Sequence, residues 1–163
     1  MNYQAFIMNP NDAKRILIGA KGRLNPMEFA QGLVAIVVIL SALNILSLIP
    51  GLGMMIGLLM FPVGLVAIFA WVCIFSKRFH DAGKSGWMTL AAIGGSIVIS
   101  FILVMILSPI FGVASLNDFS SLQSMGAGMT LKNTVSNILV NGALGYYMFN
   151  LSPVSEAASP SND

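Results

Sequence analysis

The sequence predicts an all-α protein: a polytopic transmembrane helix bundle of three to four spans, preceded by a short amphipathic N-terminal helix. Three observations carry this prediction. Of 163 residues, 56% are apolar and only 9% charged, whereas soluble domains are roughly a quarter charged. No charged side chain occurs from Phe29 to Ser76, or from Ser85 to Asn117. The basic residues are grouped, with Lys14, Arg15, Lys21 and Arg23 before the first apolar run and Lys77, Arg78 and Lys84 between the second and third. There is too little charge to coat a water-facing surface. A net charge of +2 also removes a phosphate-tracking surface, so no nucleic-acid partner is expected.

The elements follow in order. Residues 1–28 form a cytoplasmic amphipathic segment. Asn9 caps a helix with Pro10 at its first position, and Gly22 stops it. Ala13, Ile16, Leu17, Ala20 and Leu24 share one face and Lys14, Arg15 and Lys21 lie off it, so the helix is expected in the headgroup plane with its apolar face toward lipid, the alternative being a helix that packs on the cytoplasmic loop. The run from Phe29 to Phe75 is too long for one crossing of a ~30 Å hydrocarbon layer. It divides at Pro50-Gly51-Leu52-Gly53, a turn sequence, into spans Phe29 to Ile49 and Met54 to Phe75. A third span from Trp87 to Ile110 completes a membrane core over 29–110. Residues 111–133 are expected as an extracytoplasmic loop, 134–151 as a fourth span carrying Asn137 and Asn141, and 152–163 as a disordered tail.

Orientation follows from the basic residues. Both basic segments are expected in the cytoplasm, with Trp71, Trp87, Tyr146 and Tyr147 toward that interface. The first span is the expected membrane-targeting signal. Gly53 with Gly57, Gly64 with Ala67 and Ala70, Ala91 with Gly95, and Ala92 with Ser96 and Ser100 are expected to let helices of the bundle approach closely. Asn137 and Asn141 can bond to another helix or line a small wet gap, and interhelical bonding is the expected use.

The densest segment is Ser76 to Met88, SKRFHDAGKSGWM, treated as the loop between spans two and three. Its structural reading is sufficient by itself. Lys77, Arg78 and His80 complement the C-terminal end of span two, Gly83 permits the reversal, Ser85 caps span three, Trp87 anchors it, and Asp81 can pair with Arg78 or Lys84. Its functional reading treats Lys77, Arg78, His80 and Lys84 as an anion site for phospholipid headgroups or a phosphorylated ligand, with Asp81 orienting His80. Gly83-Lys84-Ser85 imitates the end of a nucleotide-binding loop, but the glycine needed five positions earlier is Arg78. No second histidine, G-x-S-x-G or H-E-x-x-H is present, and Cys73 lies inside a span without a base at helical spacing. No catalytic, cofactor or metal site is expected, and no enzyme.

Lys77-Arg78-Phe79-His80-Asp81, followed by Ser85-Gly86-Trp87-Met88, resembles the R-R-x-H-D-x-x-x-S-G-W-W stretch of the small bacterial inner-membrane proteins grouped as domain of unknown function 805. Gly22, Arg23, Glu28 and Phe29 partly match that family's G-R-x-x-R-x-E-[FY]-W entry to its first span, with Pro26 and Ala30 departing from it. The resemblance covers residues 14 to 110. It implies an integral membrane protein of the bacterial inner membrane and assigns no reaction.

Placing the two motifs at one depth predicts a charged cluster. Glu28 would be neutralised by Arg78 or Lys77, and Asp81 by Arg23 or Lys84. Arg23, Glu28, Lys77, Arg78, His80, Asp81, Lys84, Ser85 and Trp87 are the candidate contacts for membrane lipids, preferably anionic, or for another membrane protein or a second copy. The expected role is structural or regulatory. The alternative is a subunit of a small transporter or channel, against which stands the absence of any ionisable residue within the predicted spans.

Overall fold

Four long helices carry the chain: α2 (Pro26–Leu46), α3 (Gly53–Asp81), α4 (Met88–Ile110) and α5 (Ala127–Phe149), after a short α1 (Pro10–Ala13) that widens into a π-helical turn at Lys14–Ile18. This is a computed structural model, and it describes residues 8–19, 22–111 and 126–152. The start of α1 obeys its capping residues. Asn9 Oδ1 accepts from the Asn11 N–H at 3.0 Å, with Pro10 in the first turn. The π turn ends before Gly22, where the Gly19 N–H donates to Lys14 O at 3.1 Å.

α2 begins with a reciprocal cap. Asn25 Oδ1 accepts from the Glu28 N–H at 2.7 Å and Glu28 Oε2 accepts from the Asn25 N–H at 3.2 Å. At the other end Gly51, with φ of +88°, turns the chain after Pro50. α3 then runs through Pro62 and does not stop at Phe75. It continues to Asp81, which corrects the expected loop: Lys77, Arg78 and His80 lie on its last turns. Nothing in S-K-R-F-H-D breaks a helix, and the first residue able to is Gly83, at φ +67°. There the Lys84 N–H donates to Phe79 O at 2.8 Å and the Gly83 N–H to His80 O at 3.1 Å, a complete Schellman closure.

α5 likewise begins earlier than expected. Ala127 to Lys132, read from sequence as loop, is helical, in keeping with the helix propensity of Ala, Met, Leu and Lys. The remainder of that expected loop, 112–125, and most of the expected disordered tail, 153–163, lie outside the described residues. Three helices, α2, α3 and α4, are long and apolar enough to cross a membrane. α5 is more polar, but its 23 residues give it a length of ~35 Å at about 1.5 Å per residue.

α2 packs broadly on both α3 and α5, and α5 on α4, whereas α3 and α4 touch far less. The core is therefore one-sided. It sits at the end where α2 begins and α3 finishes, called here the basic end. Phe29, Leu33 and Ile36 of α2 meet Ala70, Ile74, Phe75 and Phe79 of α3 and Met148 of α5. Phe75 packs edge-on against Phe29 at 5.1 Å between ring centroids and stacks on Trp71 at 3.8 Å.

The same core absorbs the N-terminal segment. Ile16 and Leu24 are buried and Leu17 packs against the core, so these residues of the face expected to meet lipid are covered by protein instead; Ala20 and Lys21 lie outside the described residues. Gly32 makes this possible, since a Cβ there would stand 2.9 Å from Ile16 Cγ2 and 3.3 Å from Ile74 Cγ2. A second close approach is at Gly145, where a Cβ would lie 2.6 Å from Leu33 Cδ2. The small residues expected to do this work behave differently. Ala70 is buried and Ala67 and Ala92 pack on the core, but a Cβ added at Gly57, Gly64 or Gly95 would meet nothing within 4 Å.

This contrast is testable. Gly32→Val is expected to lower stability by about 1–3 kcal/mol through overpacking, while Gly57→Val is neutral or slightly stabilising. Thermal unfolding of the two variants in the same detergent checks it; equal midpoints would show that α2 does not seat Ile16 as described.

Candidate interfacial site at the basic end

Lys77 projects from α3 into protein. Its side chain is 2% exposed, and Nζ donates to Arg15 O at 2.7 Å and Ile16 O at 2.6 Å. The widened turn at Lys14–Ile18 presents these two carbonyls to one ammonium. Lys77 thus ties the N-terminal segment to the end of α3. It also stands one helical turn after Cys73, a spacing passed over in the sequence reading, yet its donors are directed at those carbonyls, while Cys73 Sγ lies 4.0 Å from Ile18 O.

Arg78 does the equivalent work on the opposite side. Its side chain is 0% exposed, with Nε donating to Met148 O at 3.1 Å. One terminal nitrogen donates to Leu151 O and the other pairs with Asp81. The planar guanidinium therefore satisfies carbonyls at the C-terminal end of α5 and complements the negative pole of that helix, while Asp81 neutralises it. Because Leu151 O reaches Arg78, α5 ends level with α3. That geometry has α5 traversing the bundle in the same direction as α3.

The charged cluster exists with one pair as expected and one changed. Asp81 pairs with Arg78, a partner its own motif offers, and not with Arg23 or Lys84, whereas Glu28 pairs with Arg15 and not with Lys77 or Arg78. The reason is helical phase: Arg78 and Asp81 are three residues apart on one continuous helix, and the docked N-terminal segment brings Arg15 to the first turn of α2. The Arg15 guanidinium is held above its ordinary pKa, first by its hydrogen bond with Glu28 and then by that carboxylate's charge, so it stays cationic throughout the physiological range. Arg15 also lies 3.6 Å from Asp12.

The remaining candidates face outward. Arg23 is exposed beside buried Leu24, and His80 and Ser85 are exposed with Lys84 half-buried. Ser85 Oγ accepts from the Trp87 N–H at 3.4 Å, and Trp87 itself is 77% exposed at the entry to α4. Gly86 lets the connection fold back onto the imidazole, since a Cβ there would lie 3.1 Å from His80 Nε2 and 3.5 Å from Ser76 Oγ. Among the described residues no group of three His, Cys, Asp or Glu side chains is placed to hold a metal ion.

The two motifs that carry these residues therefore meet at one end of the fold, and a family model described as protein of unknown function, DUF805, matches residues 17–121. The chain belongs to this family. No curated protein and no solved structure matches it. The DUF805 match takes in α2, α3 and α4 and stops before α5, so Arg78, inside the family region, binds backbone that lies outside it. Sequence reasoning missed those acceptors, Met148 O and Leu151 O, because every residue carries a carbonyl and nothing in composition marks two of them. Trp71, expected toward the cytoplasmic interface, donates through Nε1 to Asn141 Oδ1 at 2.9 Å, joining α3 to α5, so an expected interhelical use of Asn141 is realised with a partner not foreseen.

Proposed function

We propose that this DUF805 protein is a multi-pass protein of the bacterial inner membrane, with four spans and a cytoplasmic N-terminus, that acts as a small structural or regulatory element by engaging anionic lipid at its basic end. The observation that carries the reading is the division of labour within the motif. Lys77, Arg78 and Asp81 are consumed in internal bonds, whereas Arg23, His80, Lys84, Ser85 and Trp87 are left facing outward. An exposed indole at a helix entry suits the headgroup layer, and each cation near an anionic surface contributes about 1 kcal/mol. The basic clusters support the orientation, since Lys and Arg flanking apolar spans are retained in the cytoplasm.

The test uses the full chain in nanodiscs containing equal phosphatidylcholine and phosphatidylglycerol, with the lipids retained after gentle extraction quantified by mass spectrometry. Enrichment of phosphatidylglycerol is expected for the parent chain. The triple variant Arg23→Gln, His80→Gln, Lys84→Gln is expected to reduce it roughly fivefold or more for each of the Arg23 and Lys84 charges that contacts a headgroup. Enrichment that survives the triple variant, or that ignores a rise in salt, would remove the reading.

A further inference from the structure

Away from the basic end, the weak contact between α3 and α4 leaves a cavity of about 560 Å³ walled by all four long helices. That volume falls among those of small-molecule sites, roughly 300–1,000 Å³. Its back wall is buried, with Ile36 on α2 and Val140 on α5. Its front is open, because the lining residues Ile68 on α3 and Ile97 on α4 are exposed. The lateral opening thus faces the direction in which α3 and α4 would meet acyl chains.

The polar lining is only partly satisfied. Asn141 Nδ2 donates to Asn137 O at 2.9 Å and Ser96 Oγ to Ile93 O at 2.7 Å, and Trp71 Nε1 is taken by Asn141 Oδ1. Asn137 Nδ2 and Ser100 Oγ donate to no group among the described residues, although both residues line the cavity. Donors without acceptors in a hydrocarbon environment are strongly unfavourable. Among the described residues no ionisable side chain lines the space, so a charged occupant would have no counter-charge there. An oxygen acceptor on an uncharged, largely apolar body meets all of these conditions.

We propose that this cavity binds a neutral single-chain lipid carrying a carbonyl, entering from the bilayer between α3 and α4, with its oxygens toward Asn137 and Ser100 and its chain along Ile68 and Ile97. The site is separate from the headgroup surface, and either can fail without the other.

The chain supplies its own reporter. It has two tryptophans, and Trp87→Phe leaves Trp71, a lining residue, as the single emitter. Full-length protein in phosphatidylcholine nanodiscs is titrated with a monoacylglycerol brominated in mid-chain, and separately with a bromoalkane of the same chain length. Saturable quenching by the monoacylglycerol is expected, about three- to tenfold weaker in affinity after Ser100→Ala or Asn137→Leu, with the alkane unaffected by either. Ser100→Ala removes no side-chain hydrogen bond made among the described residues, so its result stands even if Asn137→Leu fails to fold. Gly64→Leu, at a lining position with open space around its Cβ, is expected to block both probes. Quenching that rises linearly without saturation, that treats ester and alkane alike, or that ignores Gly64→Leu would overturn the proposal.

Discussion

Arg78→Ala is expected to be the most damaging single substitution in this chain. It removes donors from Met148 O and Leu151 O and leaves Asp81 without its cation. Breaking one side of a buried ion pair lowers stability by about 3–5 kcal/mol, and loss of the α5 end adds to that. Arg78→Lys is expected to recover little, since one ammonium cannot reproduce a planar fork that bridges two carbonyls and a carboxylate. The measurement is alkylation of a cysteine at position 148 in a Cys73→Ala background. Met148→Cys is expected to be nearly unreactive while Arg78 is present, matching the buried state of Met148, and to react rapidly once Arg78 is replaced. Equal alkylation rates with and without Arg78 would show that α5 is held by its helix packing alone.

Lys77→Met is expected to have the second largest effect, and a local one. The substitution keeps the apolar stem but deletes two charge-assisted hydrogen bonds to Arg15 O and Ile16 O. Such bonds contribute roughly 1.5–3 kcal/mol each, offset in part by relief of burying an ammonium. The net loss of about 2 kcal/mol falls on the docking of residues 8–19, with the long helices left intact. Limited proteolysis in detergent reads this directly. Cleavage near Lys14 and Arg15 is expected to accelerate about tenfold or more, with the fragment that carries the four long helices persisting. Unchanged cleavage would place the holding energy in Ile16 and Leu24 instead.

These two residues show where sequence reading succeeds and where it stops. The cations of the second motif were recognisable as partners for a helix end, from charge and position alone. Arg78 does cap a helix, but the helix is α5, remote in sequence and outside the family match. Helix-end electrostatics is a general property, so any C-terminus brought near would serve. Glu28 was likewise legible as a carboxylate in need of a cation, and Asn25 with Glu28 is a local cap that spacing predicts. Its cation, Arg15, depends on the N-terminal segment folding back over Gly32, and that depends on the absence of a side chain there meeting the methyl of Ile16. For Gly57, Gly64 and Gly95 the same small size was read as a packing device, although no helix arrives to use it.

Local chemistry was enough to mark out the apolar segments, the turn at Pro50-Gly51, the stop at Gly83 and the end of the bundle at which positive charge collects. Each depends on hydropathy, backbone freedom or capping within a few residues, and such terms do not require knowing what lies across the fold. Which carbonyls receive Lys77 and Arg78, which residues of the N-terminal segment meet protein, and the gap between α3 and α4 that opens a polar-lined cavity were settled by the way the helices lean on one another. Inside a bilayer the lipid is as apolar as the core, so burial does not choose between neighbours; close packing and the pairing of a few polar groups do.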